Sequence, residues 1–91
     1  MIYKYKIVLS KSAEKFIRKQ DRNRKKQILK ILDNLESSPY NLPNVKPIKG
    51  TDFEDYRCRF GDFRMIYRVE SDILTILVLD IGSRGDIYKR L

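Results

Sequence analysis

Histidine is absent from these 91 residues, and cysteine occurs once. The first absence removes the side chain most often used to move protons near neutral pH. The two together argue against a zinc site, which draws chiefly on cysteine and histidine. Any chemistry must therefore run on Lys, Arg, Tyr, Ser, Asp or Glu. A lone Cys58 has no internal disulfide partner, which suits a reducing cytoplasm. Long apolar runs are missing too. The most apolar stretch, ILTILVL at 73–79, is far short of the ~20 residues a membrane helix needs. The first ten residues, MIYKYKIVLS, lack the apolar core of a secretory signal. A cytoplasmic protein with no membrane partner is expected.

Positive charge is abundant. The net charge is +8, which favours an anionic partner such as nucleic acid or an acidic protein. Residues 1–36 hold 11 Lys/Arg against 4 Asp/Glu, a net of +7, while residues 37–91 hold 9 against 8, a net of +1. With 42% hydrophobic residues the chain can build a core, so it is not a disordered basic tail. Its length suits one domain over 1–91, burying roughly two-thirds of the unfolded surface.

The apolar pattern divides the chain into elements. IYKYKIVL at 2–9 alternates and predicts a strand. Ser10 and Ser12 are candidate N-caps for a short helix over about 11–20, with Ala13, Phe16 and Ile17 on one face. Asp21 is placed to cap a second helix, whose apolar face is Ile28, Ile31, Leu32 and Leu35. Its wet face carries Arg22, Arg24, Lys25, Lys26 and Lys30. Residues 37–50 hold all three prolines and read as a loop. Strands follow at about 55–60, 63–70 and 73–81, and Gly82 is expected to end the last. That strand is apolar on both faces, which predicts a central, covered position. Gly61-Asp62 suits a type II′ hairpin turn, and Ser71-Asp72 suits the next turn. The order β-α-α-β-β-β predicts an α+β fold, with a helical hairpin packed on a small, mainly antiparallel sheet.

The Gly61-Asp62 turn fixes the register of YRCRFGDFRMIYR at 56–68. Phe60 meets Phe63, Arg59 meets Arg64, and Asp55 meets Arg68. Alternation then puts Tyr56, Cys58, Phe60, Phe63, Met65 and Tyr67 on one side, and Arg57, Arg59, Arg64, Ile66 and Arg68 on the other. Like charges directly opposed are destabilising, but a phosphate bound between two guanidiniums would reverse that. The same residues also fit a solvated outer face kept charged against edge pairing. Spacing alone does not choose between these readings.

Four stretches in order, SKSAEKFIRKQD, VKPIKG, YRCRFGDFRMIYRV and VLDIGSRGDIYK, together resemble the RelE/ParE superfamily of toxins from toxin–antitoxin pairs. The resemblance covers essentially the whole chain. For the RelE branch it implies a ribosome-dependent endoribonuclease that cuts mRNA in the A site without a metal or other cofactor. The 2′-hydroxyl attacks the adjacent phosphate, leaving a 2′,3′-cyclic phosphate and a 5′-hydroxyl. Carried over by position, the family's functional residues fall on Arg57, Arg59, Arg64, Arg84 and Tyr88. The arginines would stabilise charge on the phosphate, and Tyr88 would stack on a base. Lys25, Lys26 and Arg68 are further candidates to touch RNA.

Two departures bear on mechanism. Arg57 and Arg59 stand where RelE itself has lysines, and Ser83 stands where many relatives carry histidine near the late arginine. Arginine clamps phosphate but is a poor base. The base is left among Lys46, Lys49, Glu54 and Asp55, unless positioning and charge stabilisation carry most of the reaction. The resemblance also implies an acidic, partly disordered antitoxin as partner, beside ribosome and mRNA. Two other readings stand: a ParE-type toxin that disables DNA gyrase by binding, without nuclease activity, and a plain basic RNA-binding domain.

Overall fold

Two short polar side chains set where the helices start. In the computed structural model, which describes residues 4–40, 42 and 44–83, Ser10 Oγ accepts from the Ala13 N–H at 3.0 Å. Helix α1 (Lys11–Arg18) begins there. Asp21 Oδ1 accepts from the Arg24 N–H at 2.8 Å and begins α2 (Arg22–Ser37). Each cap satisfies a backbone donor that the helix cannot. Ser12 does not cap; its hydroxyl donates to Asp80 Oδ1 at 3.0 Å. Helix α1 ends two residues earlier than its pattern suggested.

Five strands form one sheet in the order β1-β5-β4-β3-β2. They are β1 (Lys6–Leu9), β2 (Val45–Pro47), β3 (Asp55–Phe60), β4 (Phe63–Glu70) and β5 (Thr75–Ser83). β1 pairs parallel to β5, and the remaining pairings are antiparallel. The expected α+β architecture of two helices on a mainly antiparallel sheet is present. The helices cover one sheet face. Ala13, Ile28, Leu32 and Leu35 pack with Cys58, Phe63, Met65, Tyr67, Ile76 and Val78 in a single core.

Three details differ from the sequence reading. Residues 45–47 form a fifth strand inside the stretch read as loop, pairing Val45 with Cys58, Lys46 with Arg57 and Pro47 with Tyr56. Proline argued against a strand, but an edge strand uses only one of its sides, so the missing N–H costs no ladder bond on the open side. β5 starts at Thr75, after a 3-10 turn (Ser71–Ile73) and a left-handed Leu74 (φ 47°). It also runs through Gly82, which pairs with Arg64. Of the expected first strand, only Lys6–Leu9 is regular among the described residues.

The β3–β4 register matches the one the turn implied, from Asp55↔Arg68 to Phe60↔Phe63. Gly61 has φ 56°, and Asp62 has no positive φ, as a type II′ turn requires. β4–β5 pairing shifts by one residue: Ile66 meets Asp80 while Tyr67 meets Val78. Leu79 is thus the extra residue of a β-bulge. Its carbonyl accepts from Ser10 Oγ at 2.8 Å, so the cap of α1 also holds the bulge.

Candidate functional site

On the sheet face away from the helices, the pairing sets cations side by side. Lys46 lies opposite Arg57, and Arg59 lies opposite Arg64. Asn44, Lys46, Arg57, Cys58, Arg59 and Arg64 line a pocket of about 130 Å³. A second hollow, lined by Lys46, Pro47, Ile48, Lys49 and Arg57, shares Lys46 and Arg57 with the first. Three predicted arginines and both predicted lysines therefore belong to one continuous basic surface. β2, the strand missed in the sequence, brings Lys46 there.

The arginines are not equivalent. Arg57 and Arg59 are exposed, as a solvated face requires. Arg64 is only 6% exposed, and its neighbour Ile66 8%. Arg64 lies between Arg59 on β3 and Gly82 on β5, and Gly82 places no side chain beside it. The outer face is thus partly enclosed around Arg64, which alternation alone does not reveal.

Arg68 is set apart from this group. Its Nε donates to Asp55 Oδ1 at 2.7 Å and its Nη2 to Asp55 Oδ2 at 3.1 Å. The Phe53 ring lies 3.8 Å from its guanidinium. Asp55 is 6% exposed, so this bidentate pair neutralises a buried carboxylate. The arrangement gives Arg68 a structural role at the base of the hairpin, away from the residues that line the basic pocket. Glu54 accepts from the Tyr40 hydroxyl at 3.1 Å. Neither acid lines the basic hollows, so neither is placed as their base.

Lys25 and Lys26 lie on α2, in the layer across the sheet from the pocket. Arg84 and Tyr88 lie outside the described residues. Cys58 is 1% exposed, and burial pushes its thiol up to about 11, so it stays protonated and unreactive at neutral pH. Among the described residues no three Cys, Asp or Glu side chains converge as a metal site would need. No helix there is long and apolar enough to cross a membrane.

Sequence reasoning passed over Asn44. It sits at the mouth of β2 with φ 61°, and its carbonyl accepts from the Arg59 N–H at 3.4 Å. The signal available was the β-branched Val45 beside Lys46 and Pro47, a short extended stretch, with asparagine just before it. Asparagine is among the few residues that hold a left-handed backbone readily.

Chemically, four cations around a small pocket can bind and charge-stabilise a phosphodiester. Arginine's fixed fork suits the phosphate oxygens.

Comparison with known proteins agrees with this architecture. A family model described as the ParE toxin of type II toxin–antitoxin system, parDE, matches residues 7–88. Toxin RelG of Mycobacterium tuberculosis is 31% identical over 45 residues, which is 50% of this chain and 52% of RelG. The matched segment thus spans about half the length of that relative. The archaeal RelE of a RelE–RelB complex from Pyrococcus horikoshii OT3 is 29% identical, with 91% of this chain and 98% of that one covered and a TM-score of 0.81. The chain matched in the RelB–RelE antitoxin–toxin complex of Methanococcus jannaschii is 27% identical, covering 92% and 98%, with a TM-score of 0.72. The isolated E. coli RelE toxin shares the fold at 22% identity, covering 94% and 93%, with a TM-score of 0.72.

Proposed function

The chain belongs to the ParE toxin family of type II toxin–antitoxin systems, and from that premise we propose that it is a RelE-type toxin that cleaves mRNA on the ribosome. The observation that carries this reading is the pocket shared by Lys46, Arg57, Arg59 and Arg64. A toxin acting by binding alone has no need of a phosphate-sized pocket ringed by three arginines and a lysine.

In the proposed step the 2′-oxygen attacks the adjacent phosphorus. The O2′–P bond forms and the P–O5′ bond breaks, with its electron pair leaving on O5′, which takes up a proton. Arg59 and Arg64 hold the non-bridging oxygens, where negative charge gathers. Arg57 and Lys46 extend the clamp along the strand. Of the two lysines considered as base, Lys46 is better placed than Lys49, because it lines the same pocket as the arginines. Arg84 and Tyr88 keep the roles that the resemblance implies: charge stabilisation near O5′ and stacking on a base. An acidic antitoxin would neutralise this surface, as RelB partners RelE in the solved complexes.

The test is induction of the chain without an antitoxin, followed by mapping of mRNA 5′ ends. Cuts within translated codons are expected. Intact mRNA together with a DNA damage response would instead favour the gyrase-directed reading that the family's parDE description invites.

A further inference from the structure

The pocket is rich in donors and poor in acceptors. Guanidinium and ammonium groups donate hydrogen bonds and accept none, which disposes of Arg57, Arg59 and Arg64, and of Lys46 until it loses its proton. Cys58 is buried, and its sulfur is a weak acceptor. The Asn44 backbone carbonyl is engaged by the Arg59 N–H. Among the described lining residues, that leaves one strong side-chain acceptor while Lys46 is an ammonium, the Asn44 amide oxygen.

The attacking 2′-hydroxyl must point its oxygen at phosphorus and its proton elsewhere. In a ring of cations, a free hydroxyl would turn its oxygen toward the nearest N–H, away from the attack line. An acceptor fixes the proton and so frees the lone pair for phosphorus. Asn44 is exposed and lines the pocket beside Lys46 and Arg59. Its left-handed backbone (φ 61°) is held by the Arg59 amide, so its place is tied to the strand that carries two of the phosphate ligands.

We propose that Asn44 is a catalytic residue of this site, whose Oδ1 accepts the hydrogen bond of the attacking 2′-hydroxyl and holds it in line with the scissile phosphate. This rests on the ribonuclease reading above. Asn44 takes no proton itself: it orients the hydroxyl before the step, and as the O2′–P bond forms the one hydroxyl hydrogen leaves Oδ1 for the base or for water at this exposed edge of the pocket.

The experiment is single-turnover cleavage of one defined mRNA on programmed ribosomes, by wild type, Asn44→Gly and Asn44→Asp, with a thermal melt of each. Glycine adopts φ 61° without strain, so Asn44→Gly removes the amide and keeps the backbone. Asn44→Asp keeps an acceptor oxygen and loses the donors. Asn44→Gly should cut at least tenfold more slowly, the scale of a misaligned attack, with an unchanged melt. Asn44→Asp should stay within about threefold of wild type, since an accepting oxygen remains. A wild-type rate in Asn44→Gly would overturn the proposal. So would an equal fall in both variants, which would give the role to the amide N–H groups. If Asn44→Gly fails to fold, Asn44→Lys, which offers donors and no acceptor, takes its place: at least a tenfold loss supports the proposal and a wild-type rate overturns it. Absence of cleavage by wild type would instead remove the ribonuclease reading, which separates the two failures.

Discussion

Arg59 and Arg64 face each other across one hairpin in opposite surroundings. Arg59 is exposed and meets a like charge; Arg64 is 94% withdrawn from solvent, so its stem contributes packing as well as charge. Arg59→Ala should change unfolding free energy by less than about 0.5 kcal/mol, whereas Arg64→Ala should cost about 1–3 kcal/mol. Both should lose at least tenfold in cleavage. Urea denaturation beside a cleavage assay checks the pair, and the reverse order of stabilities would make Arg59 the structural residue. The opposition of these arginines was legible in the sequence, because a two-residue turn leaves one register. The burial of Arg64 was not, because alternation names a face without saying what encloses it. The pairing of Arg68 with Asp55 was legible from the same register, whereas the Phe53 ring over its guanidinium was not.

Among the elements, the helices and the β3–β4 hairpin were readable because local chemistry sets them: Ser10 and Asp21 as caps, Gly61 at a positive φ. β2 was hidden by its proline and its length of three residues. The β5 bulge was hidden because it lies mid-strand, where the register set by the 71–74 connection no longer holds. The left-handed Leu74 closes that connection, and bulky residues seldom announce such a backbone. Ser10 joins two of these elements, with Oγ accepting from Ala13 N–H and donating to the Leu79 carbonyl. Ser10→Ala should therefore cost about 1–2 kcal/mol, near the upper end for an N-cap. Asp21→Ala, which loses only the Arg24 contact, should cost less, about 1 kcal/mol. Equal losses in thermal denaturation would show that the bulge does not depend on Ser10.

For the molecule as a whole, the net charge of +8 sets long-range behaviour before any contact forms. Affinity for single-stranded RNA should fall with salt, with a log–log slope of about −0.7 for each phosphate engaged. Arg57→Ala should make the measured slope shallower by about that amount, while an unchanged slope would place Arg57 off the RNA path. Composition alone gave the expectation of an anionic partner. The grouping of cations on one face needed the sheet order, since Lys46 and Arg57 meet only once β2 is paired. The sheet's two-sidedness also depends on a count. Along β5, Ile76 and Val78 enter the core at even positions and Ile81 at an odd one, because Leu79 is absorbed by the bulge. With every residue paired in regular alternation, Asp80 and Gly82 would turn beneath the helices and Ile81 would turn toward the arginines. The strand could therefore lose Leu79 and keep each side chain on its present side, at the expense of the carbonyl that Ser10 holds. A residue gained there, unless a second bulge absorbed it, would exchange the dry side of the protein for its charged one.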